Sequence, residues 1–233
     1  MDRPFYPAKI IECIPILLPY LLVTFEILFG TMIVGLVLGF FLARARLSKR
    51  AWERRTAGFI INAFRCTPSI VMLFMIFYGL PNLFWALFHV DINDWAKGFY
   101  VIAALGLLFS ANMAEIMRAS YLAVPAGQRE AALTSGLTEE QAFLRILLPQ
   151  AFVVSIPNLG NSMIALLKEG SLAFTIGLID VMGRGNLLIS INYGAYALET
   201  YIAQAVIYWT LTLLLEQLFK RFERRFSKGR KSL

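Results

Sequence analysis

The chain of 233 residues is 58% hydrophobic and only 16% charged, with a mean hydropathy of +0.65. These values exclude an ordinary soluble domain and are typical of a membrane helix bundle. One bilayer crossing needs about 20 mostly apolar residues, and five such spans can be drawn, at about 20–43, 60–80, 98–118, 150–180 and 200–220. We therefore expect an all-α integral membrane protein, with its five transmembrane helices in a single domain over residues 1–233.

The N-terminal segment is expected to be retained, because no small-residue cleavage site precedes the first long span. Residues 1–19 are proline-rich and are predicted to lie as an amphipathic segment at the outer surface. Within span 1, small residues recur at every fourth position, namely Thr31, Gly35, Gly39 and Ala43. This spacing predicts a stripe along which a second helix approaches closely, unless it is only the ordinary occurrence of glycine in a membrane helix.

Lysine and arginine, which give the chain a net charge of +7, are concentrated after spans 1 and 5. The two clusters are Arg44, Arg46, Lys49, Arg50, Arg54 and Arg55, and Lys220, Arg221, Arg224, Arg225, Lys228, Arg230 and Lys231. Because such clusters remain in the cytoplasm, five spans place the N-terminus outside and the C-terminus inside. Orientation and contact with anionic lipid explain both clusters, whereas nucleic-acid binding is not expected without a soluble domain to carry the charge.

Span 2 is expected to begin at a proline break and to end at a second proline. Pro68 removes a backbone donor, which breaks or kinks a helix. Pro81 is expected to end the span, so that residues 81–97 form an external loop. Trp85 and Trp95 of that loop suit the level of the lipid headgroups.

Span 3 ends with polar residues that can serve structure or transport. Glu115 and Arg118 are three positions apart and therefore share a helix face. A single unpaired charge at depth would cost roughly 2.5–3.5 kcal/mol, so a mutual pair is the simplest explanation. Asn112 lies one turn earlier, and together with Glu115 it is a candidate for a solute pathway.

Residues 123–149 form a polar, helix-prone insert between spans 3 and 4. A first short helix is expected to end at Gly136, which suits the turn after a helix. Thr138 and Gln141 have the spacing of a capping box that begins a second helix. Pro149 is then expected to set the start of span 4. A solvated helical hairpin is the alternative to a functional surface.

Span 4 has the most polar interior of the five. Asn158, Asn161 and Ser162 share one helical stripe, and Lys168 and Glu169 follow. Polar groups within a span face other helices or a water-filled cavity. The stripe therefore indicates either a polar helix contact or a solute pathway.

Enzymatic and metal-binding functions find little support in the sequence. Cys13 and Cys66 have no partner at metal-ligand spacing, and His89 is the single histidine. No phosphate-binding loop of the form G-x4-G-K-[ST] is present, so the chain is not expected to bind ATP. We expect no catalytic residue, no metal and no cofactor on this chain.

Four motifs in order resemble the permease subunits of polar amino-acid ABC importers. They are Arg65-x-Thr67-Pro68, Ala114-Glu115-Ile116-x-Arg118-Ala119, Glu130-Ala131-Ala132-x3-Gly136-x9-Ile146-x-Leu148-Pro149, and Leu167-Lys168-Glu169-x-Ser171-Leu172. Cys66 stands where the family usually has glycine. The motifs cover residues from about 60 to about 180, whereas spans 1 and 5 match only in character and length.

The resemblance implies a type I importer fold, in which two permease subunits, identical or different, pair above two ATPase subunits that bind ATP and Mg²⁺. A soluble binding protein would deliver an amino acid from outside the cell. The third motif is the family's "EAA" loop, which implies docking to the ATPase through Glu130, Ala131, Ala132, Gly136, Ile146, Leu148 and Pro149. The fourth motif looks most like permeases for cystine and other sulfur amino acids, and Ser162, where permeases for cationic amino acids often have an acidic residue, favours a neutral or zwitterionic substrate.

An ion-coupled secondary transporter is the main alternative. Such proteins commonly carry two related sets of spans and ionisable groups at the midplane. Here no internal repeat is visible, and only Lys168 and Glu169 are plausibly central. An intramembrane enzyme would need a metal or nucleophile constellation, and a non-transporting scaffold would leave the polar stripe of span 4 unexplained.

Overall fold

The computed structural model describes residues 5–226, and within them all regular structure is helical. Five helical segments are long and apolar enough to cross a membrane. They are Pro7–Arg46, Ser69–Phe88, Lys97–Leu122, Glu139–Ile176 and Ala197–Phe226. The predicted all-α fold class and the predicted number of spans are confirmed.

Ten α-helices are distinguished along the described part of the chain. They are α1 (Pro7–Leu17), α2 (Leu21–Arg46), α3 (Ala51–Cys66), α4 (Ser69–Phe88), α5 (Lys97–Leu122), α6 (Ala126–Thr134), α7 (Glu139–Ala142), α8 (Leu148–Gly170), α9 (Val181–Ile191) and α10 (Ala197–Phe226). Tighter 3-10 segments at Leu18–Tyr20 and Ser171–Ile176 and a π-helical segment at Phe143–Leu147 connect some of them.

Helix α5 lies at the centre of the bundle and packs along α2. The four small residues of the α2 stripe are all buried. At Gly39, a Cβ atom would lie 2.7 Å from the Cβ of Met113 and 2.9 Å from the carbonyl oxygen of Ser110. Only glycine permits this approach, and the predicted close-packing stripe is confirmed.

Span 2 lies further along the chain than predicted, at Ser69–Phe88 instead of 60–80. The residues before Cys66 form α3, which is a separate helix between two spans. Pro68 lies between α3 and α4 with extended backbone angles, so the predicted break is confirmed. The sequence of α3 is too polar to contribute to a span, which explains the shift.

The prediction that Pro81 ends span 2 is wrong, because α4 continues through it to residue 88. A proline is tolerated inside a membrane helix where neighbouring groups satisfy the freed carbonyl, and Pro81 is buried in the bundle. The helix ends where His89 adopts a left-handed conformation with φ of 54°. The predicted loop at 81–97 is therefore shortened to residues 89–96, and Trp85 belongs to the helix.

The N-terminal helix packs on the bundle through one of its sides, and its predicted position at the outer membrane surface stays a prediction. Cys13 and Leu17 of α1 are buried against Val181, Ala203 and Ile207 of α9 and α10. One side of α1 is thus covered by protein, while Ile11 and Ile16 remain exposed. Residues 1–4, which belonged to the same prediction, lie outside the described residues.

The last two spans also differ from their predicted bounds. Helix α8 ends at Gly170, and its 3-10 extension ends before Gly177, whose φ of 78° turns the chain. Span 4 therefore does not reach residue 180. Span 5 is longer than predicted and occupies Ala197–Phe226 instead of 200–220.

Candidate functional site

Polar side chains from three helices surround a cavity of about 330 Å³ between α5 and α8. The lining consists of Arg65, Asn112, Glu115, Ile116, Ala119, Asn158 and Ser162. The four α5 positions repeat at three and four residues, which places them on one helix face. Asn158 and Ser162 are four apart on α8 and face them. Polar residues that the sequence places on two separate spans thus meet in one site.

The charged groups around this cavity are arranged about the carboxylate of Glu115 on α5. Arg118 donates from Nε and Nη2 to Oε2 of Glu115, at 3.0 and 2.7 Å. Nε of Arg46, at the end of α2, lies 4.0 Å from Oε1 of the same carboxylate. Arg65 lines the cavity as well. The site therefore offers a carboxylate, a guanidinium, two amides and a hydroxyl, which are groups that can bind an ammonium and a carboxylate together.

Four of the seven residues predicted for a solute pathway meet in this cavity, namely Asn112, Glu115, Asn158 and Ser162. The other three, Asn161, Lys168 and Glu169, do not line it. Asn161 and Lys168 are exposed on α8, and Glu169 is half-buried. Their roles in transport stay predictions.

Arg65 and Arg46 lie at the site, although the sequence patterns do not predict them there. In the sequence, Arg65 belongs to a motif before Pro68 and Arg46 to a charge cluster, and neither pattern predicts a place in the cavity. The signal that could have found Arg65 is its place at the last turn of a helix directly before the proline break. Arg46 could not be found without the packing of α2 on α5.

The insert between α5 and α8 has the local structure that its sequence predicts. The first helix, α6, ends before Gly136, whose φ is 87°. The hydroxyl of Thr138 accepts from the backbone N–H of Gln141 at 3.2 Å, and the side chain of Gln141 accepts from the N–H of Thr138 at 3.1 Å. The capping box is confirmed. Arg129 and Glu139 form an ion pair between the two helices.

The second helix of the insert is continuous with span 4. Helix α7 passes through the π-helical segment into α8 without a break, so Pro149 lies in the first turn of a continuing helix. Pro149 thus marks the first turn of α8, as expected. It does not begin the whole helical segment, because the π-helical turn, in which the N–H of Leu148 donates to the carbonyl oxygen of Phe143, joins α8 to α7. Nε2 of Gln150 donates to Oε1 of Gln128 at 3.3 Å and thereby joins α8 to α6. A displacement of the insert would therefore act directly on the helix that carries Asn158 and Ser162.

Most residues of the predicted docking motif are on the surface of the insert. Glu130, Ala131, Gly136, Leu148 and Pro149 are exposed, Ile146 is half-buried, and Ala132 is buried. Their contact with an ATPase stays a prediction. No group of three or more potential metal ligands occurs among the described residues.

Residues 35–228 match the family described as "Binding-protein-dependent transport system inner membrane component". The chain belongs to this family. Across 98% of the chain and 95% of the relative, it is 40% identical to the L-cystine transport system permease protein TcyL of Bacillus subtilis (strain 168). It is also 36% identical to the L-cystine transport system permease protein TcyB of the same organism, over 92% of the chain and 88% of that protein. Over 93% of the chain and 94% of the relative, it is 35% identical to the arginine transport system permease protein ArtQ, also of Bacillus subtilis.

Solved structures agree with this membership of the inner membrane component family. A chain from the crystal structure of an amino acid ABC transporter with histidines superposes with a TM-score of 0.81, at 30% identity, covering 96% of this chain and all of the other. A chain of the inward-facing MetNI methionine ABC transporter has a TM-score of 0.67 at 21% identity, over 89% and 92% of the two chains, which shows a shared fold. The type I importer permease fold is thus confirmed, and this multi-pass subunit belongs in the cell membrane.

Proposed function

We propose that this subunit forms part of the pathway by which an ATP-driven importer moves a polar amino acid into the cytoplasm. The observation that carries the proposal is the polar cavity between α5 and α8. Both of its walls continue into the insert, α5 at its end and α8 through α7. The residues that would contact the solute and the insert that would contact the ATPase subunit are thus carried by the same two helices, α5 and α8.

Cystine or another sulfur amino acid is the substrate we propose. The relative TcyL is a permease of an L-cystine transport system, as is TcyB. The cavity supports a zwitterionic solute because it presents both Glu115 and Arg65 together with neutral amides. The carboxylate is already paired with Arg118, so it does not form a free anionic site of the kind that would retain a purely cationic side chain.

The insert is proposed to dock on a separate ATPase subunit that binds ATP and Mg²⁺. Rigid-body movement of the ATPase would be transmitted through α7 to α8, since these helices are continuous. We further propose the assembly typical of such importers: two ATPase subunits, a second permease subunit that is identical or different, and an extracellular or periplasmic binding protein.

The N-terminus is proposed to lie outside and the insert inside, because the basic cluster at the end of α2 lies on the same side as the insert. Ser48→Cys and Asn93→Cys variants, in a background without Cys13 and Cys66, test this orientation. An impermeant thiol reagent added to intact cells should label position 93 and leave position 48 unlabelled. The reverse labelling pattern would invert the orientation.

The proposal as a whole is tested by uptake into proteoliposomes that contain the complete complex and the binding protein. Labelled cystine, glutamine and arginine are supplied with ATP, or with an ion gradient and no ATP. We expect uptake to require ATP and to favour cystine. Uptake that persists without ATP and follows the ion gradient would instead support a secondary transporter.

A further inference from the structure

Helix α3 presents two different faces. On one side Ala57, Gly58 and Ile61 are buried against the bundle. On the other, Trp52 and Phe59 are 66% and 75% exposed. These two aromatic residues are seven positions apart and therefore lie on one face. Large aromatic groups on an exposed helix face need a surface to cover them.

The same face of α3 and the turn before it are strongly basic. Six of the residues from 44 to 55 are lysine or arginine, and Glu53 is the one acidic residue among them. Glu53 is already paired, because Nη1 of Arg50 donates to its carboxylate at 2.9 Å. Lys49 and Arg55, in contrast, have no hydrogen bond or ion pair with any residue in the described part of the chain. Arg55 lies between the two aromatic residues on the exposed face.

The position of α3 decides what covers this face. The helix is joined at both ends to membrane spans, since α2 ends at Arg46 and α4 begins at Ser69. Ile61 packs with Ala43, Ala111 and Ala114, which fixes α3 at the same end of the bundle as the insert. Both connections are short, so α3 must lie near the membrane surface. Its own composition is too polar for it to cross.

We infer that α3 is an interfacial helix whose Trp52 and Phe59 enter the headgroup region while Lys49 and Arg55 bind anionic phospholipid. Basic residues at this depth are attracted to a negatively charged membrane surface, and amphipathic helices with aromatic residues lie in the interface plane. A headgroup surface is favoured over a protein partner, because the exposed face combines two aromatic residues with basic side chains that are unpaired within residues 5–226, and the helix is tethered at both ends to membrane spans. The assignment is independent of which solute the subunit carries.

Quenching of Trp52 fluorescence by brominated lipids tests this assignment. The full chain, with Trp85, Trp95 and Trp209 replaced by Phe, is reconstituted into neutral vesicles. A small and equal fraction of either brominated phosphatidylglycerol or brominated phosphatidylcholine is then included. We expect quenching by the anionic lipid to exceed quenching by the neutral lipid by about twofold or more.

The double variant Lys49→Gln/Arg55→Gln should abolish the preference while both lipids still quench Trp52. These side chains have no partner in the described structure, so the fold is expected to persist. Arg129→Gln, in the insert, is the matched control and should keep the preference. Equal quenching by both lipids in the parent protein would overturn the anionic site. Absence of quenching by either lipid, with Trp52 shielded on addition of the ATPase subunit, would show that α3 is a protein contact.

Discussion

Oε1 of Glu115 lies 4.0 Å from Nε of Arg46, while Oε2 accepts two hydrogen bonds from Arg118. One carboxylate thus connects the end of α2 with α5 and forms part of the cavity wall. The side chain of Glu115 is only 22% exposed. Its removal would leave two guanidinium groups close together without an acidic partner.

Glu115→Gln should therefore destabilise the subunit. Loss of charge-assisted hydrogen bonds in a partly buried site costs about 1–3 kcal/mol. Glu216→Gln is the matched control, because its pair with Lys220 is exposed on both sides and such pairs contribute at most about 1 kcal/mol. Reversible denaturation in detergent measures the free energy of unfolding of both variants. If both variants lose the same small amount of unfolding free energy, the Glu115 pair is not important for stability.

Gly39→Ala tests the close approach of α2 and α5. The new Cβ atom would lie 2.9 Å from the carbonyl oxygen of Ser110, which belongs to the backbone and cannot move away easily. Overpacking of this kind costs about 1–3 kcal/mol. At Gly79 of α4, nothing lies within 4 Å of the corresponding position, so Gly79→Ala should be neutral or slightly stabilising. The two alanine variants are compared by thermal unfolding, and similar melting temperatures would argue against the tight contact.

Asp180 should make the stability of the subunit depend on pH. It precedes α9, between the last two spans, and its carboxylate accepts from the N–H of Gly183 at 2.8 Å and from the hydroxyl of Tyr208 at 3.2 Å. Complete burial raises the pKa of Asp180 to about 6. The folded state therefore favours the protonated acid. This contribution to stability is fully present below the pKa of the unfolded chain, near 4, and is lost as the pH rises through about 6.

Asp180→Asn should remove this dependence, because asparagine is never charged and can still accept from Gly183. Relative to wild type, the variant should gain about 2 kcal/mol in unfolding free energy between pH 4 and pH 8, because the unfolded carboxyl is already partly ionised at pH 4. Unfolding free energies at the two pH values give the comparison. If the unfolding free energies of both proteins change in parallel, Asp180 does not titrate between pH 4 and pH 8.

The parts of this structure that the sequence predicts depend on neighbours in the chain. The spacing of Thr138 and Gln141 is sufficient for a capping box, and Gly136 for a left-handed turn. The small-residue stripe of α2 likewise needs only helical periodicity. In contrast, the bond between Asp180 and Tyr208 joins residues 28 positions apart, and its existence depends on how α9 packs on α10.

The differences between the predicted and the observed structure also arise where contacts between distant residues override local preferences. The local effect of Pro81 predicts the end of a helix, but Pro81 itself is buried against the bundle and α4 continues through it. The end of α3 and the start of α4 are adjacent and both helix-prone, so the sequence predicts one span where the structure has two helices. In the cavity, the helical stripe predicts Asn158 and Ser162. The place of Arg65 before the proline break marks it as a candidate, but its entry into the cavity depends on how α3 packs on α5.

The coupling role of the insert predicts a specific defect in Glu130→Lys. Glu130 is exposed, so a reversed charge should leave the fold intact while disturbing contact with the ATPase subunit. We expect the assembled complex to lose substrate-stimulated ATP hydrolysis or to lose the ATPase subunit. Glu140→Lys is the matched control on the same insert, and it should couple normally. If the Glu130→Lys complex keeps normal substrate-stimulated ATP hydrolysis, Glu130 does not contribute to docking.

Uptake of labelled cystine by complexes carrying Ser162→Leu or Asn158→Leu tests the polar cavity most directly. Each variant replaces a hydrogen-bonding group in the lining by an apolar one of similar size or larger. Loss of one hydrogen bond to a charged group costs about 1.5–3 kcal/mol, so uptake should fall about tenfold or more. Basal ATP hydrolysis and assembly should persist. Ser162→Thr, which keeps the hydroxyl, and Thr210→Leu, on the exposed face of α10, should transport nearly as well as wild type. Unchanged uptake and selectivity in both Ser162→Leu and Asn158→Leu would contradict the assignment of this cavity as the solute pathway.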